Sequence, residues 1–145
     1  MGKKRINYKK TAYMGIEFDS QLECEYYIHL LSQPNISGVV RQPQYQLLAP
    51  FHIECNKCKG EGKNPSSRTG NLIKCRTCNG TGKRTRRGIN YTADFLVIYE
   101  DGQEEVIDVK GFPNERFPVI KKLFEWVHQK ELVVVTKKGK EWVRK

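Results

Sequence analysis

Between Tyr91 and Val109 the chain is apolar, β-branched and aromatic in two stretches, Tyr91 to Tyr99 and Glu104 to Val109, parted by a turn around Asp101-Gly102. This pattern predicts a β-hairpin. Charged residues interrupt it where strands buried on both faces should carry only apolar side chains: Asp94 in the first run, Asp108 and Lys110 closing the second. Burying charge is costly unless it is paired or binds a metal, so the three mark a candidate site. Asp108 and Lys110 project from one face of their strand while Val109 points away. The loop decides whether Asp94 joins them. A two-residue Asp101-Gly102 turn pairs Asp94 with Val109, whereas a three-residue Glu100-Asp101-Gly102 loop, with Gly102 left-handed in a bulge, pairs it with Asp108. The three-residue loop is expected, because opposed β-carbons lie about 5 Å apart and let both carboxylates hold one divalent cation.

The pattern elsewhere supplies helices and further strands. Ser20-Gln21-Leu22-Glu23 is a capping box that opens a helix, with Leu22, Tyr26 and Leu30 at four-residue steps and Tyr27 and Leu31 widening the stripe. Ser32-Gln33-Pro34-Asn35 ends it. Residues 37–48 read as an extended segment that Pro43 demotes to an edge or bulged strand, and Phe51 and Ile53 continue it. After a loop at Gly111-Phe112-Pro113-Asn114, a helix runs from about Glu115 or Pro118 to His128, with Val119, Leu123, Phe124, Trp126 and Val127 on its apolar face. Glu131 to Thr136 is a buried strand, and the basic tail around Trp142 forms a last edge strand. Residues 1–14, with Lys3, Lys4, Arg5, Lys9 and Lys10, lack either periodicity and read as a basic arm.

Two copies of Cys-x-x-Cys-x-Gly-x-Gly, CNKCKGEG and CRTCNGTG, interrupt this layout at residues 55–62 and 75–82. Cys55, Cys58, Cys75 and Cys78 suit tetrahedral Zn²⁺, and glycines at repeated positions let backbone amides approach the sulfurs. Four thiolates leave no open coordination position, so the zinc is expected to be structural. The repeat resembles the cysteine-rich region of the DnaJ chaperone family over this segment alone. Cys24, unpaired on the first helix, reads as a small buried apolar residue, and His52 as a histidine outside the ligand set.

Charge then narrows the partners. Lysines and arginines exceed acidic residues by ten, which favours a polyanion, and no stretch reaches the ~20 apolar residues of a membrane span. A cytoplasmic setting is expected, where paired Cys-x-x-Cys motifs point to metal rather than disulfides. Lys83, Arg84, Arg86 and Arg87, next to the second cysteine pair, make the insertion a candidate clamp for phosphate backbone; solvated charges around a folding staple are the alternative.

An acid on one strand followed by acid-x-Lys on the next, here Ala93-Asp94 and Asp108-Val109-Lys110, resembles the PD-(D/E)XK nuclease superfamily, with alanine where the family name has proline. The resemblance implies an α/β fold, a mixed central β-sheet flanked by helices in a restriction-endonuclease-like core, here with a zinc-binding insertion. It implies Mg²⁺ or Mn²⁺ on Asp94 and Asp108, and Lys110 orienting or activating the attacking water. The Ser-x-x-Glu helix ending at Glu23 is similar to the opening of transposon-end and small phage-encoded branches, which implies that Glu23 reaches the metal or its water shell, with Glu25 as the alternative. Family look-alikes also place basic residues on the second helix, which implies Lys121 at the scissile strand.

The expected organisation is residues 1–54 and 84–145 as the nuclease core and 55–83 as the insertion. The expected activity is metal-dependent endonucleolytic cleavage of double-stranded or branched DNA, as in phage recombination or junction processing, with RNA left open and a homodimer compatible with cutting two strands. A non-catalytic zinc-ribbon nucleic-acid binder is the main alternative, and a protein-interaction module a third.

Overall fold

Thirteen short strands and two helices follow the hydrophobic pattern in a computed structural model that describes residues 9–112 and 114–145. Lys3, Lys4 and Arg5 of the expected basic arm, and Pro113, lie outside the described residues. In chain order the elements are β1 (Thr11–Tyr13), β2 (Ile16–Phe18), α1 (Gln21–Leu31), β3 (Ile36–Arg41), β4 (Gln44–Leu48), β5 (Phe51–Glu54) and β6 (Lys63–Pro65). They continue with β7 (Leu72–Lys74), β8 (Lys83–Arg86), β9 (Ile89–Thr92), β10 (Phe95–Tyr99), β11 (Glu104–Val109), α2 (Phe117–His128), β12 (Leu132–Lys138) and β13 (Glu141–Arg144). None of the helices among the described residues is long and apolar enough to cross a membrane.

The chain divides into two compact units, one running up to Tyr45 and resuming at Tyr91–Lys145, the other Gln46–Asn90. A mixed sheet in the order β13-β12-β11-β10-β3 organises the first unit. Its β10 and β11 are antiparallel neighbours, and β11 and β12 run parallel, joined through α2. The hairpin register pairs Phe95 with Ile107 and Ile98 with Glu104, and Tyr99 N–H donates to the Gln103 carbonyl at 2.9 Å. Glu100, Asp101 and Gly102 are thus left as the three-residue loop, with Gly102 at φ +85. The first run is not one continuous strand, however. It breaks at Ala93-Asp94: β9 pairs with β4, and only β10 belongs to the five-stranded sheet. Similarly, the extended segment expected over 37–48 splits at Gln42-Pro43 into β3, an edge strand of that sheet, and β4.

One face of the sheet carries Phe95, Val97, Ile107, Val109, Val133 and Val135, which pack against Phe18 and against Cys24, Tyr26 and Leu30 of α1. Burying side chains of this size contributes roughly 1.5–3 kcal/mol each. The Ser20 hydroxyl accepts from Glu23 N–H at 3.2 Å and so fixes where α1 begins. Trp142 of β13 closes this core edge-on to Tyr26, with ring centroids 4.8 Å apart. Val106 and Asp108 alternate onto the opposite face, where Phe124 of α2 is buried and its ring meets those of Tyr45 and Tyr91 at 5.0 and 6.1 Å. Thr11 to Tyr13, expected to be part of an irregular arm, instead pair with β2 through a turn at Met14 and Gly15, both at positive φ.

The second unit consists of ladders around the cysteine turns, β5 with β8 and β6 with β7. It takes in Gln46–Asn90, with β5 and β8 pairing on either side of residues 55–82 and β6 and β7 pairing between the two turns. Its buried cluster is the four cysteines themselves.

Candidate functional site

At the end of β11, where the chain leaves the sheet, an open cleft of about 620 Å³ is lined by Glu23, Asp94, Lys110, Lys9 and Lys137 among others. Three elements meet there. The first turn of α1 supplies Glu23, the residue preceding β10 supplies Asp94, and the residue following β11 supplies Lys110.

Asp94 N–H donates to the Ile107 carbonyl at 3.2 Å, and its own carboxylate Oδ2 accepts from Val109 N–H at 2.6 Å. The carboxylate is thereby pinned to the partner strand. Burial raises its pKa to about 8, helped by the negative charges of Asp108 and then Glu23. Asp108 is 3% exposed, and both its oxygens face cations or donors. Oδ1 accepts from the Tyr91 hydroxyl at 2.8 Å, and Oδ2 lies 2.7 Å from Lys110 Nζ. The ammonium sits off the hydrogen-bonding direction, so Oδ2 has an ion-pair partner but no directed hydrogen bond. Lys110 Nζ also lies 4.3 Å from the centre of the Phe117 ring at the start of α2. Burial raises the Tyr91 pKa, as does the Asp108 charge beside it.

Glu23 is held by the Ser20 hydroxyl, which donates to its Oε1 at 3.2 Å. Burial raises its pKa, against that hydrogen bond, with smaller contributions from Asp19 and Asp108. Glu25 instead pairs with Lys137 and accepts from Gln21, which hold its carboxyl below the ordinary value. The helix carboxylate that shares the cleft with Asp94 is therefore Glu23. Lys121 lies on α2 outside the lining of this cleft, and Lys9 and Lys137 are the lysines that reach it besides Lys110.

Tyr91 and Phe117 were not legible as site residues. Tyr91 reads as the start of a strand run, and only the break at Ala93-Asp94 turns its hydroxyl onto Asp108. Phe117 sits seven residues past Lys110, beyond a loop whose path spacing does not fix.

Three carboxylates neighbour one another here: the charge of Asp108 raises the proton affinity of Asp94 and of Glu23, and Asp108 itself keeps one oxygen without a directed hydrogen bond. Their ligand atoms do not all lie within 4.8 Å of one another. Among the described residues that condition is met by Cys55, Cys58, Cys75 and Cys78, a group that could hold a metal such as zinc.

The cysteine group is built from two matching turns. Cys55 Sγ lies 3.9 Å from Cys75 Sγ, and Cys58 Sγ lies 3.7 Å from Cys78 Sγ. Tetrahedral thiolates around zinc, at about 2.3 Å each, stand about 3.8 Å apart. Gly62 and Gly82 N–H donate to Cys58 and Cys78 Sγ at 3.1 and 3.2 Å, and their carbonyls accept from Cys75 and Cys55 N–H at 2.8 and 2.9 Å. Each turn thus supports the other. A side chain at Gly62 would put its Cβ 2.4 Å from the Gly80 carbonyl oxygen, and one at Gly82 would lie 2.3 Å from that of Gly60, so the repeated glycines are a steric requirement. His52 stays outside the group, with Nδ1 3.1 Å from Thr85 Oγ1, and Cys24 is on the buried face of α1. Lys83, Arg84, Arg86 and Arg87 fall on and just after β8.

No curated protein matches the chain. The model of a protein family of unknown function, DUF1064, matches residues 3–141, and the chain belongs to that family.

Proposed function

We propose that the protein is a divalent-metal-dependent endonuclease that hydrolyses DNA phosphodiesters at the cleft beside β11. The observation that carries this reading is that Lys110, paired at 2.7 Å with the buried Asp108 behind it, lines one open cleft together with Asp94 and Glu23. The order α1, β3, β10, β11, α2, β12 around a mixed sheet also supports it, being similar to the restriction-endonuclease-like core.

Asp94 and Asp108 would hold Mg²⁺ or Mn²⁺, and Glu23 would reach it through water, in keeping with the wider spread of the three carboxylates. A bound divalent ion supplies positive charge to the phosphate and lowers the pKa of water. The protein's own groups do the positioning. Asp108 and the Phe117 ring fix the Lys110 ammonium, which has three donors. These donors would orient the attacking water or stabilise charge growing on the phosphate oxygens. Hydrolysis forms a bond from the water oxygen to phosphorus and breaks the ester P–O bond, and the departing oxygen takes up a proton. The cysteine group, with all four donors used, serves as a structural zinc site in this reading.

The test is nicking of supercoiled plasmid and of linear, flapped, forked and four-way DNA with Mg²⁺ or Mn²⁺. Asp108→Ala and Lys110→Ala should each lose at least about 100-fold, as expected for removal of a group acting on the reacting phosphate. A surface control, Lys140→Ala, should cut normally. A non-catalytic nucleic-acid binder is the second reading, favoured by where the charge lies. Residues 46–90 hold ten lysines and arginines against two glutamates, while the rest of the chain is close to balanced. Binding without cleavage across all these substrates and both metals would establish that reading instead.

A further inference from the structure

The ribbon formed by β5 and β8 has two unlike faces. On one, Thr85 Oγ1 meets His52 Nδ1 at 3.1 Å and Glu54 stands opposite Lys83. On the other, Phe51 stands opposite Arg86, and Ile53 opposite Arg84. Phe51 and Ile53 are 42% and 38% exposed, and among the described residues neither arginine has an acidic partner within 4.0 Å. All four residues of β5 are exposed, and a ribbon serving only to close the cysteine turns has no need of a ring and a branched aliphatic at such positions, set opposite guanidinium groups with no acidic partner.

We propose that this face binds single-stranded DNA, the Phe51 ring stacking on an unpaired base while Arg84 and Arg86 contact the flanking phosphates. The surplus of eight positive charges over residues 46–90 makes the partner a polyanion, and it stays positive when four thiolates hold a divalent ion. Duplex DNA offers phosphates to the arginines, but its base faces are already stacked inside. A single strand presents base faces beside phosphates, which matches alternating ring and guanidinium groups and requires no sequence preference. Joined to the nuclease reading, on which this further step rests, the face selects substrates with an unpaired strand, such as flaps or forks. Binding by the ribbon does not depend on cleavage.

The experiment uses the full chain with its cysteine metal in place and no added divalent ion. Fluorescence anisotropy compares a labelled oligothymidine with a duplex of equal length across a salt series. The single strand should bind more tightly. Phe51→Ala should weaken it roughly tenfold, the scale of one stacked base, and leave the duplex unchanged, and Phe51→Tyr should restore it. Arg84→Ala with Arg86→Ala should reduce the log-log salt slope on the single strand by about 1.4. Phe51 is an exposed side chain, so its truncation leaves the core intact, and an unchanged melting temperature verifies this. The proposal is overturned if Phe51→Ala binds the single strand as wild type does, if duplex and single strand bind equally, or if polyglutamate displaces the oligonucleotide as well as unlabelled oligothymidine does. Because nothing is cut under these conditions, an Asp108→Ala nicking assay fails or succeeds separately from this result.

Discussion

The Tyr91 hydroxyl donates to Oδ1 of Asp108 at 2.8 Å, from β9, a strand outside the five-stranded sheet that carries Asp108. The acid is buried beside Lys110, so this bond offsets part of the cost of keeping a polar group out of water. Tyr91→Phe keeps the ring against Phe124 and removes only the donor. It should destabilise the protein by about 1.5–3 kcal/mol, the usual range for a hydrogen bond to a charged group. Urea denaturation should show a lower midpoint with an unchanged slope. A midpoint equal to that of wild type would mean that Lys110 alone satisfies the acid.

Asp94 makes the protein respond to pH in the opposite sense from an ordinary salt-bridged carboxylate. Its folded pKa is raised to about 8 by burial and then by the neighbouring Asp108 charge, well above its value in an unfolded chain. Between these two pKa values the folded state binds the extra proton. Without divalent ions, stability should therefore fall as pH rises from about 4 to 8, by at most about 1.4 kcal/mol per pH unit. Asp94→Asn preserves an oxygen for Val109 N–H and abolishes the titration. The variant should be the more stable at pH 8 and lose its advantage towards pH 4. Mg²⁺ at pH 8 should raise the melting temperature of wild type and leave the variant unmoved. Parallel stability curves for the two proteins would show that Asp94 is not the titrating group.

The hairpin register was legible because Glu100-Asp101-Gly102 offers a glycine where a three-residue loop needs a left-handed residue, and this alone decides that the Asp94 end of β10 meets the Asp108 end of β11. The cap at Ser20 and the paired cysteines were legible for the same reason: each is a local pattern whose partners lie within a few residues, or in a repeat that announces its own symmetry. Other features depend on distant chain. Met14-Gly15 is not a common hairpin turn, so β1 was hidden in what reads as a basic arm and its pairing with β2 went unseen. The rupture of the Tyr91–Tyr99 run at Ala93-Asp94 follows from β9 pairing with β4, a choice made by strands more than forty residues apart. Lys121 was placed near the site by family likeness, whereas the cleft is reached by Lys9 and Lys137 from the two ends of the chain.

Glu23 and Glu25 are separated by their partners. Glu23 lines the cleft and faces Asp94, while Glu25 is engaged by Lys137 and Gln21. If the helix carboxylate works in cleavage, Glu23→Gln should cut at least about tenfold more slowly, while Glu25→Gln cuts like wild type. Glu25→Gln removes an exposed ion pair and should cost no more than about 1 kcal/mol in denaturation. Equal activity of both variants would leave Glu23 with its capping role alone.

The cysteine turns make a sharper prediction, because their glycines do different things. Gly62 and Gly82, both at φ +75, each lie so close to the carbonyl of the opposite turn that an added Cβ would overlap it. Gly70 has φ +72 with nothing within 4 Å of an added Cβ. Alanine at Gly70 therefore incurs only the left-handed backbone penalty of about 1–2 kcal/mol. Alanine at Gly62 or Gly82 adds a clash that pushes the two turns apart and takes the Sγ-directed amide with it. The buried cluster that joins the two turns is the four cysteines themselves, so if they hold zinc, Gly62→Ala and Gly82→Ala should release it to a chromogenic chelator at concentrations at least about tenfold below those that strip wild type. Gly70→Ala should release it much as wild type does. Hydrogen exchange after chelation should show protection lost over residues 46–90 and retained over β10, β11 and β12, since the sheet's core contains none of Cys55, Cys58, Cys75 and Cys78. Retention of zinc by Gly62→Ala at wild-type strength would show that the close approach of the two turns is not what holds the thiolates in place.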